Sequence, residues 1–222
     1  MADGVLIGQA SGDNDLTTSA GTSTSGSTFV VAVSYISSST ILSVTDNKSN
    51  TYTLIDTQVA SNGHAKSLYR CENGTGGASH QATVAFSGSS FGTAYLAAAT
   101  AAAAASFDVA AKAEDAASPY TVTLPTLAQA DEVIFCLIGN DQGGTVTYTP
   151  SNMTQIGAET DGNAYFTSSL CKAVVASTAA FTPSFTESAN GTSALVAAAF
   201  KAAAASGINK GVLAAYQQMM GA

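Results

Sequence analysis

The residues that could carry chemistry in this chain are few, and none of them falls in a recognised catalytic spacing. The two histidines of the sequence, His64 and His80, lie in segments rich in Gly, Asn and Ser. A histidine of this kind could serve as the general base of a Ser-His-Asp triad. Serine is so frequent, however, that no pattern singles out one nucleophile, and neither histidine has a metal-ligand spacing. We therefore expect both histidines to be exposed in turns.

Acidic residues offer a second possible chemistry, because two carboxylates facing one cleft can hydrolyse glycosides. The pairs Glu114–Asp115 and Asp131–Glu132 are adjacent in sequence, and adjacent residues of a strand point to opposite faces. The stretch GDNDL at 12–16 lacks the glycine and the bidentate glutamate of a calcium loop. We expect no catalytic residue, no metal site and no cofactor, and interpret the chain as a non-enzyme.

Three cysteines, Cys71, Cys136 and Cys171, are present, and none belongs to a CxxC motif. An odd number without clustered histidines argues against a zinc site or a disulfide framework. We expect three buried thiols within strands. A single bridge between Cys71 and Cys171 is the alternative.

The composition restricts the classes of function. Of the 222 residues, 46% are hydrophobic and 10% are charged, with 7 basic against 15 acidic residues. The sequence shows no cluster of Lys and Arg, which disfavours nucleic-acid binding through counterion release. It also shows neither a signal peptide at its start nor an apolar run of about 18 residues, so we expect no membrane partner.

The strongest pattern is an internal duplication. The phrases TAYLAAATAAAAAS (93–106) and SALVAAAFKAAAAS (193–206) recur at a spacing of 193 − 93 = 100. Upstream, 27–56 matches 130–159 in its order of apolar runs and polar turns, and Cys71 matches Cys171. The pattern predicts repeat halves at about 27–106 and 130–206 that share the core of a single domain over 1–205, because two units pair rather than form a solenoid.

Within each half the local pattern is typical of β-structure. Short runs such as TFVVAVSYI and EVIFCLI are rich in β-branched and aromatic residues and are separated by Gly, Asn, Ser and Asp clusters. We predict an all-β fold, a two-sheet antiparallel β-sandwich of jelly-roll or concanavalin A-like type with about 12–14 strands. The alanine phrases are interpreted as strands that close each half, and a short helix at 98–105 is the alternative.

Both termini carry candidate contact residues. Apolar residues of 206–222 fall at i, i+1, i+4, i+7 and i+8, which predicts one apolar stripe on a short C-terminal helical arm. The arm would dock either on its own sandwich or on another protein. The stripe consists of Val212, Leu213, Tyr216, Met219 and Met220, and the N-terminal candidates are Val5, Leu6 and Ile7.

The succession VVAVSYI, VTDNKSNTYTLI, AKSLYRCENGTGG, ATVAFS, YLAAATAAAAASFDVAA, TLAQADEVIFCLI and LVAAAF resembles a β-sandwich family found in tailed-bacteriophage virions and in bacterial proteins. The resemblance covers about 29–200. At the closing acidic and glycine positions of the family pattern this chain has AAATAAAAASFD and keeps Asp108 alone.

The resemblance implies a structural virion protein, and we expect a capsid decoration protein on the outer surface of a phage head. Its partners would be the major capsid protein or another virion protein, together with copies of itself in a trimer or dimer. The chain would be made in the host cytoplasm and carried on the particle exterior. The alternative is a tail, neck or fibre component, or a carbohydrate-binding adhesion module.

Overall fold

The computed structural model describes residues 2–140, 146–160, 166–189 and 191–204. The described chain is built from 18 antiparallel strands. The predicted all-β sandwich with an internal duplication is confirmed. The strand number exceeds 12–14 because several short edge strands add to the long ones.

The first repeat forms a five-stranded sheet with the order β1-β10-β4-β7-β6 and an outer three-stranded sheet with the order β2-β9-β5. A two-stranded ribbon, β3-β8, is added at its side. The strands are β1 (Asp3–Asp13), β2 (Leu16–Thr17), β3 (Gly21–Ser23), β4 (Ser27–Ile36), β5 (Ile41–Asp46), β6 (Thr53–Val59), β7 (His64–Gly74), β8 (Gly77–His80), β9 (Ala82–Phe86) and β10 (Phe91–Thr100).

The second repeat has the same topology. Its five-stranded sheet has the order β11-β18-β13-β16-β15, and its outer sheet has the order β12-β17-β14. The β3-β8 ribbon has no counterpart among the described residues of this repeat. The strands are β11 (Ala102–Asp115), β12 (Tyr120–Thr121), β13 (Glu132–Asn140), β14 (Tyr148–Pro150), β15 (Thr154–Thr160), β16 (Thr167–Val175), β17 (Ser184–Glu187) and β18 (Ser193–Ala202).

The four main sheets form four layers, with the two five-stranded sheets packed against each other in the middle. Each repeat has its own core between its five-stranded and outer sheets. A third core lies between the repeats and includes Tyr95 and Leu68 from the first repeat and Phe135 and Phe200 from the second. Each repeat is thus a small sandwich, and the repeats meet back to back.

This layering explains why the central strands do not alternate in polarity. Strands β4 and β13 are covered on both faces, and every residue of VVAV at 30–33 and of VIFCLI at 133–138 is buried. Strands covered on both faces read as continuous apolar runs. The alanine-rich strands β10 and β18 occupy the same doubly covered position.

The alanine run at 98–105 is a strand, a turn and a strand. β10 ends at Thr100, Ala101 has a φ of 50°, and β11 begins at Ala102. The chain passes from the first repeat to the second through this one residue. The alternative of a helix at 98–105 is wrong, because both flanks of the turn are held in sheet ladders by β1 and β18.

The two five-stranded sheets are stacked in reversed order, so that β1 lies against β15 and β6 lies against β11. Since β1 corresponds to β11 and β6 to β15, this is the arrangement of an isologous two-fold interface within one chain. Polar contacts mark both flanks. Ser11 Oγ donates to Glu159 at 2.8 Å on one flank, and Lys112 Nζ lies 2.7 Å from Asp56 on the other.

Candidate functional site

The three N-terminal candidates lie on β1 and point in different directions. Val5 is exposed, Leu6 packs against the core between the repeats, and Ile7 is buried in the core of the first repeat. Of the three, only Val5 presents a large exposed side chain to a partner. The C-terminal arm at 206–222, with its predicted stripe, lies outside the described residues.

A different apolar surface lies on the first repeat. β5 and β6 are edge strands of the two sheets of this sandwich. In the outer sheet, β2 packs over β1 and β10 of the five-stranded sheet. Since β5 is at the other edge of the outer sheet and β6 is at the other edge of the five-stranded sheet, β5 and β6 lie on the same side of the sandwich. Leu42 on β5 is 66% exposed, and Leu54 and Val59 on β6 are 48% and 53% exposed. We call these three residues and their strands the β5–β6 edge.

The corresponding edge of the second repeat is polar. Its strands are β14 and β15, and their described residues expose no large hydrophobic side chain. The difference between two copies of one fold shows that the fold itself does not require an apolar edge. Sequence analysis missed this surface because a strand's exposed face cannot be known until its sheet neighbours are known.

Both histidines are buried, so the prediction of exposed histidines is wrong. His64 is 4% exposed and His80 is fully buried. The ring of His80 packs edge-on against Phe29 with a centroid distance of 4.7 Å. His64 begins β7, and its ring packs against Phe166 of the second repeat, whereas His80 ends β8 within the first repeat.

His80 is the middle of a hydrogen-bonded chain of three side chains. Its Nε2 atom lies 2.8 Å from Asp46 Oδ2, and its Nδ1 atom lies 2.7 Å from Ser23 Oγ. Ser23 is partly exposed, whereas the side chains of Asp46 and His80 are fully buried. The sequence separates these residues by up to 57 positions, and no local pattern connects them.

Asp46 is held as a carboxylate. Burial alone would raise its pKa, but hydrogen bonds from the side chain and backbone of Asn50, from His80 and from Tyr52 lower the pKa to about 2. The backbone N–H of Lys48 donates to the same carboxylate at 2.9 Å. Because an ionised carboxylate only accepts, Nε2 of His80 carries a proton toward Asp46. In the neutral imidazole, Nδ1 then accepts the Ser23 hydroxyl proton.

The second repeat lacks this chain of side chains. The Asn50 side chain donates from Nδ2 to the Thr75 carbonyl and accepts the Thr75 N–H at Oδ1. In the second repeat, Asn152 donates from Nδ2 to the Thr182 carbonyl and accepts the Ser184 N–H at Oδ1. Asp46 precedes Asn50 by four residues, whereas the residue four positions before Asn152 is Tyr148. Both histidines of the chain also belong to the first repeat. The duplicated fold therefore forms without this network.

A pair of carboxyl groups lies at the alanine-rich end of the second repeat. Glu132, at the start of β13, is fully buried and accepts the Gln129 N–H at 3.1 Å. Burial, with Asp108 nearby, raises the pKa of Glu132 to about 7. Asp108 stands where the β11 ladder is irregular and accepts the Ala128 N–H at 2.7 Å. Sequence analysis missed the pair because it compared only adjacent acids.

A cleft of about 470 Å³ opens where residues of the first repeat meet Phe166, the residue before β16 of the second repeat. The rings of His64 and Phe166 are in edge contact across the repeats, with centroids 4.3 Å apart. The lining is largely apolar and also contains hydroxyl and amide groups. It includes Ile36, Ser38, Asn62, His64, Phe91 and Phe166.

The three cysteines are free and buried, which confirms the prediction of buried thiols. The alternative bridge between Cys71 and Cys171 is wrong, because the two residues lie in the separate cores of the two repeats. Cys171 instead faces Cys136 directly across the β13–β16 pair. Burial raises the pKa of all three thiols.

No protein-family model matches this chain, and no curated protein sequence matches it. Among the described residues there is no helix of the length and hydrophobicity needed to cross a bilayer.

Proposed function

We propose that this chain is a structural protein of a tailed-bacteriophage virion, a decoration protein that binds the outer surface of the head and stabilises it through symmetric contacts. Its partners are the major capsid protein or another virion protein, and copies of the chain associate as a trimer or dimer. The sequence resemblance set out above supports this assignment. The observation that carries it is the difference between the apolar β5–β6 edge and the polar edge of the second repeat.

The β5–β6 edge fits a protein partner for a physical reason. Leu42, Leu54 and Val59 expose apolar area next to the unpaired edge of a sheet. Natural proteins normally cover or charge such edges, because they invite pairing with another chain. Lys112 covers part of this edge, since its ammonium group bonds the Thr57 carbonyl at 3.0 Å and lies beside Asp56. The apolar ends of β6 remain for a capsid subunit.

Rigidity also suits a decoration protein. Contacts between the repeats join the sheets at several points, among them Tyr95 OH with the Ser168 backbone carbonyl at 2.9 Å and Arg70 over the Phe107 ring at 3.9 Å. A preorganised body loses little conformational freedom on binding, and many equivalent weak contacts on one particle add up through multivalency. A small contact per copy is then sufficient.

The test locates the chain on particles. Cells that carry the gene in its natural genome are induced, the released particles are purified on a density gradient, and an antibody raised against the purified chain is applied to intact and disrupted particles. The proposal expects labelling of intact heads under electron microscopy. Particles that lack the chain, or that bind the antibody only after disruption, would contradict an exterior decoration role. Labelling confined to tails would support the tail, neck or fibre alternative.

One observation favours a carbohydrate-binding module as the second candidate. The cleft combines the rings of Phe91 and Phe166 with the hydroxyl of Ser38 and the amide of Asn62, and such a mixture suits a small polar ligand with one apolar face. A glycan array with the full chain tests this candidate. Binding that is lost in Ser38→Val but kept in Ser43→Val, a serine on β5 away from the cleft, would favour it over the decoration role.

A further inference from the structure

We propose that Ser23 is an activated nucleophile, with His80 as its general base and Asp46 as the residue that orients the base, so that the first repeat carries an acyl-transfer site. The proposal goes beyond the structural role above and does not depend on it. Ser23 Oγ lies 2.7 Å from His80 Nδ1, and His80 Nε2 lies 2.8 Å from Asp46 Oδ2. A nucleophile, a base and an orienting acid linked in this order define nucleophilic catalysis by geometry, whatever their order in sequence.

The direction of the proton follows from the charge on Asp46. With the carboxylate accepting at Nε2, the Nδ1 lone pair faces the Ser23 hydroxyl, which is the polarity needed to remove its proton. The imidazole is turned relative to the usual triad, since Nδ1 rather than Nε2 faces the serine. The hydrogen bond at one ring nitrogen sets the role of the other, and here the bond from Nε2 to Asp46 leaves Nδ1 as the base.

The backbone of Gly77 contacts the Ser23 hydroxyl group. Its N–H donates to Ser23 Oγ at 3.2 Å and so stabilises negative charge that develops on this oxygen as the proton leaves, and its carbonyl oxygen lies 3.5 Å from Ser23 Oγ. Gly77 has a φ of 149°, and a Cβ atom built there would meet only Lys48, whose Cε and Nζ atoms would lie 3.7 and 3.8 Å away. Lys48 Nζ donates to the carbonyl oxygen of Ala78, the next residue, at 2.8 Å, which places a cation on this side of the ribbon. A cation at this place suits a small ester with a polar or anionic acyl group.

A residue with a strained backbone lies next to His80. Ser79 has a φ of 54°. Non-glycine residues in this region cost free energy and persist where the surroundings impose them, often at functional sites. The second repeat, which has the same fold, shows whether these residues are needed for the fold. Its described residues form the sandwich without a ribbon, and its sequence has neither the histidine nor the aspartate, so stability of the fold alone does not account for them.

The proposed reaction needs only the ester and water as reactants. Ser23 Oγ attacks the carbonyl carbon of the ester while its proton passes to His80 Nδ1. The ester C–O bond then breaks, and the alcohol leaves with the proton from His80. Water, deprotonated by the same nitrogen, attacks the acyl-Ser23 ester. The bond between the acyl carbon and Ser23 Oγ then breaks, His80 returns the proton to Ser23 Oγ, and the carboxylic acid is released.

The test uses the full chain with a fluorophosphonate probe and, separately, with p-nitrophenyl acetate. The probe transfers its phosphonyl group to an activated serine with loss of fluoride, and intact mass and peptide mapping give the site. We expect one adduct per chain, at Ser23, and a burst of nitrophenolate of similar stoichiometry. Ser23→Ala should slow both reactions about a hundredfold or more, as expected when base-assisted attack is removed.

The matched control is Ser25→Ala, which removes an exposed hydroxyl two residues away that accepts the Gly76 N–H. It should react like the wild type. Asp46→Asn should slow labelling of Ser23, and melting curves establish that each variant is folded. The proposal is overturned if wild-type Ser23 reacts no faster than Ser25, or if Ser23→Ala labels as fast as the wild type, while a known serine hydrolase reacts in parallel.

Discussion

Glu132 lies buried beside Asp108, so two carboxyl groups from β13 and β11 share one apolar end of the second repeat. Burial, with Asp108 adding to it, raises the pKa of Glu132 from its ordinary value of 4.5 to about 7 in the folded protein. Between these two pH values, Glu132 is therefore protonated in the folded state and ionised in the unfolded state. Proton uptake by Glu132 favours the folded state, and this contribution to stability is fully present below about pH 4.5 and is lost as the pH rises to about 7.

The variant Glu132→Gln keeps the shape of the side chain and removes the titration. We expect it to be more stable than the wild type at pH 8, by an amount on the order of 1–3 kcal/mol, and to differ little at pH 5. Urea unfolding at the two pH values measures the difference. Asp131→Asn, at the neighbouring exposed acid, should show no such pH dependence. Equal effects of the two variants at pH 8 would contradict the assignment to Glu132.

Gly157 allows the repeats to approach each other. A Cβ atom built on it would lie 2.8 Å from the ring of Tyr95, a residue of the opposite repeat that is fully buried. We expect Gly157→Ala to lower the free energy of unfolding by about 1–3 kcal/mol, because the overpacked ring must shift. Gly88→Ala is the control, since a Cβ there meets nothing within 4 Å. Comparable losses in both variants would show that the Tyr95 contact is not the cause.

Replacing either of two alanines, three positions apart, with glycine should change the stability of the protein in opposite directions. Ala101 has a φ of 50°, a conformation that glycine adopts without steric cost, so Ala101→Gly should raise stability by roughly 0.5–1 kcal/mol. Ala104 is exposed within β11, where glycine only adds freedom to the unfolded chain, so Ala104→Gly should lower it by a similar amount. Thermal melting compares them. A loss of stability in Ala101→Gly would mean that the turn is not strained.

The three thiols should be silent in the native protein. Cys71, Cys136 and Cys171 are buried, and their raised pKa values disfavour the reactive thiolate. We expect no reaction with Ellman's reagent in buffer and three equivalents in guanidinium chloride. Fewer than three equivalents after unfolding would indicate a disulfide, and rapid reaction of one thiol in buffer would contradict its burial.

The β5–β6 edge can be tested without disturbing the fold. Leu54→Glu places a charge on an exposed side chain, so we expect a change in stability within about 0.5 kcal/mol and a loss of particle binding of at least about tenfold. Val174→Glu is the matched control, because Val174 is 41% exposed on a different strand. Binding is measured by co-sedimentation with particles that lack the chain. Equal binding by Leu54→Glu and the wild type would remove this edge from the proposed interface.

The fold class was predictable because it depends on local signals. Apolar runs such as 30–33 and 133–138, bounded by turn residues, identify strands wherever they pack. The layering was not predictable, and the sequence analysis placed a single shared core where there are three. A run buried on both faces does not tell which neighbour covers which face, and that is decided only when the sheets pair.

Register shows the same limit. The spacing of 100 aligns Ala97 with Ala197, yet Ala97 faces the core between the repeats and Ala197 faces the core of the second repeat. A shift by one residue exchanges the faces of a strand. Alanine tolerates the exchange because its side chain is the same size on either face, so the sequence match persists although the faces differ.

The candidate sites escaped prediction for a related reason. Asp46 and His80 stand 34 positions apart, and Asp108 and Glu132 lie on β11 and β13, which are separated in the chain by β12. Spacing along the chain carries no information about such pairs. The clue that was present is the loop DNKSN, whose asparagine recurs in the second half while its aspartate does not. A residue that differs between two copies of one fold is one that the fold itself does not require.

The passage through Ala101 makes the pairing of the repeats unimolecular. Two separate sandwiches would dissociate on dilution. These two are linked covalently through Ala101, so the effective concentration of one repeat near the other does not change on dilution. The core between them includes large side chains such as Tyr95, Phe135 and Phe200. Because the junction is covalent, burial of this core contributes to the folding of one chain and not to an association, so the pairing of the repeats does not depend on protein concentration.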